Sequence, residues 1–355
     1  MDALVADVAW QHSMNNPAIS VVIVNWNGRH LLPQCLDYLQ VAIEANDQVI
    51  VVDNGSHDGS VAWLHTAFPW VEVIALPRNQ GFAGGNNAAL ADCRHDWILL
   101  INNDAFVAPD AITQLRQMAA TCLPHTGAIA ATLVFDHAPD LVASSGIVLR
   151  RDGVAIDRDM TRPLADIPTN PQAIAGASGG AVLLRRAMIE DIGFFADDFF
   201  NYLEDVDLAW RALLRGWQSI HLPTAHIRHV YSATSGQGSP FKQRLLGRNR
   251  WRTLIRCLPT ALWWRYGPAI ICYDIAASVA LAIGGQWAGI AGRLSILTDV
   301  PTLLTQRRAI QSRRTASIAY LTAWLIPAPW PWQEYREIQR LATIMAQRTP
   351  STRKE

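Results

Sequence analysis

The sequence predicts an α/β fold class, a sheet flanked by helices, followed by a mainly helical C-terminal region rich in basic and apolar residues. Three observations carry this. Four apolar, β-rich runs recur between residues 19 and 101, as strands buried on both faces of a parallel sheet require. Segments with helical spacing or turn chemistry separate them, which is the alternation of an α/β chain. After Gly236 the composition shifts abruptly toward Arg, Trp and long apolar stretches.

The first strand is expected over Ile19-Ser-Val-Val-Ile-Val24. Asn25-Trp-Asn-Gly28 breaks it, and Leu31, Leu32, Cys35, Leu36 and Leu39 then recur on one helical face. Gln48-Val-Ile-Val-Val52 is the second, closed by Asp53-Asn-Gly-Ser-His-Asp-Gly-Ser60, a cluster of turn and cap residues. Val71-Glu-Val-Ile-Ala75 is the third, followed by the Gly/Asn-rich stretch Asn79 to Asn87 and a helix to about Asp92. Trp97-Ile-Leu-Leu-Ile101 is the fourth, closed by Asn102-Asn-Asp104. The pattern weakens between 124 and 175, with short strands expected at Ala128–Phe135 and Gly146–Leu149. A helix carrying Leu208, Leu213 and Leu214 is then stopped by Gly216. Each polar cluster in the first hundred residues follows a strand, where open α/β sheets bind ligands.

The 355 residues allow two or three units. We divide them into a leader (1–17), an α/β domain (18–240) and a helical, basic and apolar region (241–355). Half the residues are apolar and 17% are charged, which excludes global disorder. Thirty basic and thirty acidic residues cancel, arguing against a nucleic-acid binder. The balance hides a gradient: 13 Lys/Arg against 25 Asp/Glu up to residue 240, and 17 against 5 beyond it. The five cysteines are odd in number and scattered, with no C-x-x-C spacing. That excludes a disulfide scaffold or Cys-rich zinc site and suits a reducing cytoplasm. Met1 to Pro17 carries Asp2 and Asp7 and no basic segment, unlike a secretory signal.

Four constellations carry chemistry. Asp53, at a strand end, is placed to accept a hydrogen bond from an imide N–H such as uracil or thymine offers; Asp58 reads as a helix cap. Asn79-Gln-Gly-Phe-Ala-Gly-Gly-Asn-Asn87 lets backbone approach a ligand closely, and a tight strand-to-helix turn explains it equally well. It fits neither the P-loop nor the dinucleotide fingerprint. Asp104, after Asn102 and Asn103, can hold one position of a hard divalent cation whose other ligands are diphosphate oxygens and water; a plain polar turn competes. Glu204, Asp205 and Asp207 open a helix, where crowding raises a carboxyl pKa toward that of a general base. An acidic first turn explains Asp207. His226 and His229 downstream are either structural or part of a metal or diphosphate site.

Taken in this order, the clusters resemble the inverting family 2 glycosyltransferases of the GT-A fold, over about residues 18–236. The resemblance rests on Val-Ile-Val-Asn-Trp-Asn, Val-Val-Asp-Asn-Gly-Ser, Asn-x-Gly-x-x-x-Gly-x-Asn, the aspartate-ended strand, Gly-Gly-Ala-x-x-Leu-x-Arg and Glu-Asp-Val-Asp-Leu. Within the family it is most similar to bacterial rhamnosyltransferases of cell-surface polysaccharide synthesis, which also have a counterpart to Arg248-Asn-Arg-Trp. The resemblance implies a nucleotide-sugar site in which Asn25 and Asp53 line the nucleobase and ribose pocket. Asn79, Gly84 and Asn87 would flank the nucleoside, with Asn103 beside the ribose or diphosphate. Gly179 and Gly180 would lie under sugar and acceptor. Asp205, with Glu204 beside it, matches the catalytic base. Asp104 matches the last aspartate of the metal motif, whose first position is Asn102 here, and His229 the histidine that meets metal or diphosphate. Mg2+ or Mn2+ is the implied cofactor. A nucleoside diphosphate sugar, with dTDP-rhamnose favoured over UDP- and GDP-linked sugars, is the implied donor, and a glycan or lipid-linked glycan the acceptor. Two other classes compete. A sugar-1-phosphate nucleotidyltransferase should open with a Gly-rich, Arg/Lys-containing loop that Val22 to Arg29 does not supply. A catalytically silent nucleotide-sugar-binding protein should lack the acids that stand at 204, 205 and 207.

The C-terminal region reads as membrane-associating. Lys242, Arg244, Arg248, Arg250, Arg252 and Arg256 precede an apolar stretch, 266–292, whose only charge is Asp274. It is long enough to span a bilayer, yet its glycines and flanking basic and aromatic residues favour attachment to the membrane surface. A cytoplasmic-side, peripheral or shallowly inserted protein is expected. A buried helical subdomain or a dimer interface is the alternative.

Overall fold

The computed structural model describes residues 16–230 and 239–346, so the expected leader lies outside the described residues except for its last two positions. The four expected strands form: β1 (Ile19–Asn25), β2 (Gln48–Asp53), β3 (Glu72–Ala75) and β4 (Trp97–Asn102). They are parallel in the order β3-β2-β1-β4, linked by helices α1 (Leu32–Ala42), α2 (Ser60–Ala67) and α3 (Gly81–Ala89). Every side chain of β2 is buried, which is why it reads as an unbroken apolar run. The winding reverses between β1 and β4. That switch point puts Asn25 and Asn102 at the opening where doubly wound sheets receive ligands.

The rest of the sheet follows as β5 (Ala105–Val107), β6 (Thr126–Phe135), β7 (Ala138–Ser144), β10 (Gln172–Ile174), β11 (Ala181–Arg185) and β12 (Gln218–His229). The order is β10-β12-β6-β11-β4-β1-β2-β3, with β5 on β12 and β7 on β6. A hairpin of β8 (Ile147–Arg150) and β9 (Ala155–Asp157) stands apart and pairs with β13 (Leu325–Ile326). Helices α1 and α4 (Ala111–Thr121) cover one sheet face through Leu32, Leu36, Leu39, Ile112 and Leu115. Helices α3, α5 (Arg186–Ile192) and α6 (Glu204–Arg215) cover the other. Gly216 ends α6 in the left-handed conformation, as its position in the sequence predicts.

The C-terminal region is helical throughout most of its described length: α7 (Pro240–Cys257), α8 (Thr260–Ile283), α9 (Trp287–Leu294), α10 (Val300–Ser312), α11 (Ile318–Ala323) and α12 (Pro331–Ala346). The outer side of α6 packs on it, with Trp210 and Leu213 joining Leu254, Leu258, Leu262 and Ile270 in one buried cluster. Helix α6 is therefore clamped between the sheet and the C-terminal helices.

Two expectations change here. The apolar stretch 266–292 is two elements, because Gly284 and Gly285 (φ +68°) break it between α8 and α9. Helix α8 is about 36 Å long at 1.5 Å per residue. Among the described residues it is the one helix long and apolar enough to cross a membrane, and most of it is unburied. The basic cluster, in turn, points largely inward. Arg250 donates to Asp274 at 2.7 Å and to the Asp152 carbonyl at 2.8 Å, Arg252 pairs with Asp198 and Asp299, and Arg256 reaches Asp207 at 3.1 Å. A buried guanidinium requires such partners. The opposite charge of the two halves is thus partly consumed where they meet.

One buried group on β12 gives a pH test of the fold. His221 is fully buried, 2.8 Å from Thr132 Oγ1 and 3.3 Å from Arg158 Nη1. Burial, reinforced by Arg158, pushes its pKa down to about 4. Between the usual value of about 6.5 and 4, the unfolded chain binds a proton that the folded one refuses, so stability falls as pH drops through that window. The expected loss is about 3 kcal/mol. Urea midpoints at pH 7 and 4.5 should differ less in His221→Gln than in the wild type.

Candidate active site

Parallel register sets the first part of the site. Asn25 lies opposite Asp53, and Val24 opposite Asn102, so Asn103 emerges beside Asn25. Asn25 Nδ2 donates to Asp53 Oδ2 at 3.2 Å and to Ser60 Oγ at 3.1 Å, while Asn103 Nδ2 donates to Asn25 Oδ1 at 2.9 Å. The other Asp53 oxygen accepts the Ser56 N–H at 2.9 Å. Asp58 stands one residue before the N-cap of α2, which is Gly59, and accepts the Ser60 N–H at 3.1 Å.

Asn54, which sequence reasoning passed over, ties this loop to the next. Its side chain accepts the Gln80 N–H and donates to the Gly81 carbonyl, both at 2.8 Å. Asn79 accepts the Gly81 N–H at 2.8 Å. Gly81 has φ +74° and lies against the Phe200 carbonyl, so a Cβ there would collide with it. At Gly85 a Cβ would stand 2.6 Å from Val24, and at Gly84 it would stand 2.7 Å from Gln80. The glycines serve close packing of α3 on the sheet and its loops. Asn87 is directed elsewhere: it bonds the Phe195 backbone at 2.8 and 3.2 Å and Asp197 at 2.5 Å.

The second part forms where β5 pairs with β12, bringing His229 opposite Ala105. His229 Nε2 lies 3.0 Å from Asp104 Oδ1 and 3.1 Å from Asn102 Nδ2. Among the described residues there is no cluster of three or more His, Cys, Asp or Glu suited to a metal ion. A converging carboxylate and imidazole nevertheless fit a divalent ion that takes its other ligands from a diphosphate and water. Cys35, beneath Asn102, has its thiol pushed up to about 12 by burial and then by Asp104, so it is no thiolate ligand.

Two glycines join this part to the acidic helix. The Gly179 N–H donates to Asp205 Oδ2 at 2.9 Å, and the Gly180 carbonyl accepts the Asn102 N–H at 3.1 Å. A Cβ on Gly180 would stand 3.6 Å from the His229 ring, and one on Gly179 3.2 Å from Phe82. Asp205 is half-buried and also accepts the Val206 N–H at 2.8 Å. Burial raises its pKa against the pull of those two N–H groups. Glu204 is 5% exposed, and its Oε2 has no hydrogen-bond partner among the described residues. Burial, and then Asp205, pushes its carboxyl well up.

Helix α6 begins on a strained approach. Phe200, Tyr202 and Leu203 all have φ near +65 to +69°, a region that costs non-glycine residues about 1–3 kcal/mol each. The C-terminal region holds them there. Asn249, fully buried, donates to the carbonyls of Phe199, Asn201 and Tyr202 at 3.0, 2.9 and 2.7 Å, and Arg248 reaches those of Asp198 and Phe199. Asp207 is more than an acidic first-turn residue: it is fully buried between Arg211 at 2.7 Å and Arg256 at 3.1 Å.

Asp157, at the end of β9, is a further carboxylate that sequence reasoning missed. Ser144 and Ser178 hydrogen-bond it, and Asp205, His229 and Lys242 are within electrostatic reach. Burial, opposed by Ser144 and aided by Asp205, raises its pKa to about 6. It lies in the stretch where the sequence pattern is weakest, and no local motif marks it.

Residues 20–193 match the glycosyl transferase family 2 model, a segment that ends before Glu204. A curated relative is the N-acetylglucosaminyl-diphospho-decaprenol L-rhamnosyltransferase of Mycobacterium tuberculosis. It is 25% identical over 289 residues, which cover 74% of this chain and 91% of that protein. Two solved structures share the fold. GalNAc-T7 with UDP, GalNAc and Mn2+ has a TM-score of 0.55 at 14% identity, covering 69% of this chain and about half (49%) of its own. The mannosyltransferase of Pyrobaculum calidifontis with GDP-Man and Mn2+ has a TM-score of 0.50 at 15% identity, covering 94% and 88%. Residues 20–193, just under half of the chain, thus match glycosyltransferase family 2, within a GT-A-type sheet that is followed by a helical C-terminal region.

Proposed function

We propose that this glycosyltransferase is inverting and metal-assisted. It moves a sugar from a nucleoside diphosphate to a hydroxyl of a lipid-linked glycan, in cell-surface polysaccharide synthesis on the cytoplasmic side of the membrane. Rhamnose from dTDP-rhamnose is the favoured donor, supported by the motif resemblance and by the activity named for the mycobacterial relative. One observation carries the reading: Gly179 and Gly180 link a half-buried carboxylate, Asp205, to the Asn102–Asp104–His229 group. A displacement at the anomeric carbon needs a base on one side and charge stabilisation on the other.

In this reading Asn25, Asp53 and Asn103 hold the nucleoside, and Asn79, Gly84 and Asn87 shape and brace the loop beside it. Gly179 and Gly180 leave space for sugar and acceptor. The acceptor hydroxyl gives its proton to Asp205 as its oxygen attacks, and the glycosidic bond to the diphosphate breaks. Two backbone N–H groups aim the Asp205 carboxylate. Glu204, whose burial favours the protonated form, adds little competing negative charge. Mg2+ or Mn2+ held by Asp104 and His229 would neutralise charge on the departing diphosphate. Surface attachment is supported by the outer side of α8, where Trp264 and Ile283 are each 84% exposed. The inward turn of Arg250, Arg252 and Arg256 leaves fewer charges for lipid headgroups than the sequence suggests.

Thermal-shift titration tests the site without an acceptor. A nucleoside diphosphate should raise the melting temperature, and Mn2+ should increase that rise in the wild type but not in Asp104→Asn. An equal Mn2+ effect in the variant would remove Asp104 from the metal site. Release of free nucleoside diphosphate from dTDP-rhamnose, and not from UDP- or GDP-linked sugars, tests the donor.

A further inference from the structure

A cavity of about 290 Å3 lies away from the nucleotide edge of the sheet. It lies where the β8–β9 hairpin, the start of α6 and helices α7 to α9 meet. Its wall is mostly hydrocarbon, including Leu149, Leu203, Val206, Leu254 and Leu281. Leu203 and Val206 flank Glu204 and Asp205, so the cavity backs onto the helical turn that carries the proposed base.

Four guanidinium groups share this wall: Arg150, Arg151, Arg250 and Arg293. Three are matched, Arg150 by Asp152 and Glu334, and Arg250 and Arg293 by Asp274. Arg151 is exposed, stacks on Tyr266, donates from Nε to the Leu325 carbonyl at 3.1 Å and has no ion pair among the described residues. Thr253 and Tyr266 also line the cavity, each at least 92% buried, and their hydroxyls have no hydrogen-bond partner among the described residues. An apolar wall with one uncompensated cation at its edge suits an amphiphile: hydrocarbon gains from leaving water, and a phosphate gains from Arg. The volume is at the low end of the roughly 300–1,000 Å3 of small-molecule sites, which fits part of one chain and not a whole lipid. The source is adjacent, since α8 forms part of the wall and turns an apolar outer side to its surroundings.

We infer that this cavity receives part of the hydrocarbon chain of a phosphate-bearing lipid, with the phosphate at Arg151. The inference rests on the proposed function only in identifying that lipid with the carrier of the acceptor glycan.

Decyl phosphate is the probe, titrated calorimetrically into the full chain below its micellar concentration, with inorganic phosphate and decanol as controls. Decyl phosphate should bind at least about tenfold more tightly than either control, a difference of about 1.4 kcal/mol. Leu281→Trp, at the half-buried edge of the cavity, should weaken it about tenfold. Arg151→Gln should weaken decyl phosphate and leave decanol unchanged. The nucleoside diphosphate thermal shift checks that each variant is folded, because it reports the other site. Inorganic phosphate binding as tightly as decyl phosphate would overturn the assignment in favour of a free-phosphate site. Unchanged binding by both variants would overturn it in favour of adsorption on the outside of α8. Decyl phosphate binding in a protein that transfers no sugar to lipid-linked acceptors would support the cavity and overturn the acceptor reading.

Discussion

Asp205→Asn should lower sugar transfer by roughly 10²-fold or more while leaving nucleoside diphosphate affinity close to that of the wild type, because general-base catalysis is worth about that much. The substitution keeps the shape of the side chain and one oxygen for the Gly179 N–H, but it removes the acceptor for the substrate's proton. Single-turnover rates and the diphosphate thermal shift, measured on the same preparation, separate the two effects. Glu204→Gln is the control: burial already favours the neutral acid there, so transfer should fall far less. The pH profile supplies a second readout. Since burial raises the Asp205 pKa, kcat/KM should decline as pH falls through a value above the ordinary Asp range, and this limb should vanish in Asp205→Asn. Wild-type turnover in that variant would assign the base elsewhere, with Asp157, which interacts electrostatically with Asp205, as the alternative.

Asp207→Asn should cost about 3–5 kcal/mol of stability, the usual penalty for removing one member of a buried ion pair. Asp207 has no exposed surface and neutralises both Arg211 and Arg256. Without its charge, two buried guanidinium groups lose their shared partner, and the joint between α6 and α7 weakens. Typical folded proteins have about 5–15 kcal/mol in total, so the urea midpoint should drop sharply. A midpoint within error of the wild type would mean that the pair is solvated in solution. Deleting everything after residue 240 would be a poor test of membrane binding for the same reason. It would strip the cover from Trp210 and Leu213 and the clamp from residues 199–202.

Much of the fold could be read without coordinates because its determinants are local in the chain. Strands β1, β2 and β4 are runs of apolar residues buried on both faces, and that demand is written into consecutive positions. Helix α6 announces its end with Gly216, since a left-handed cap is cheapest for glycine. Asn25, Asp53 and Asp104 were legible as candidate site residues because each follows a buried strand, at the edge where α/β sheets receive ligands.

What stayed hidden depends on contacts between distant residues. Asp157 approaches Asp205 and His229 only because a hairpin in a weakly patterned stretch folds over the sheet. Asn54 and Asn249 act through side chains bonded to loops 26 or more positions away. The Arg-rich segment looked like a membrane-facing surface because composition records charge but not direction. Its guanidinium groups turn inward because acidic side chains await them, Asp198 and Asp207 from the first 240 residues and Asp274 and Asp299 from the C-terminal region itself, and such pairing costs less than burying either charge alone. Local pattern was enough to specify strands β1 to β4 and the sheet edge they form. Convergence of the carboxylates, and the cavity behind α6, exist only once the two halves have packed, since no single stretch of chain encodes the position of another.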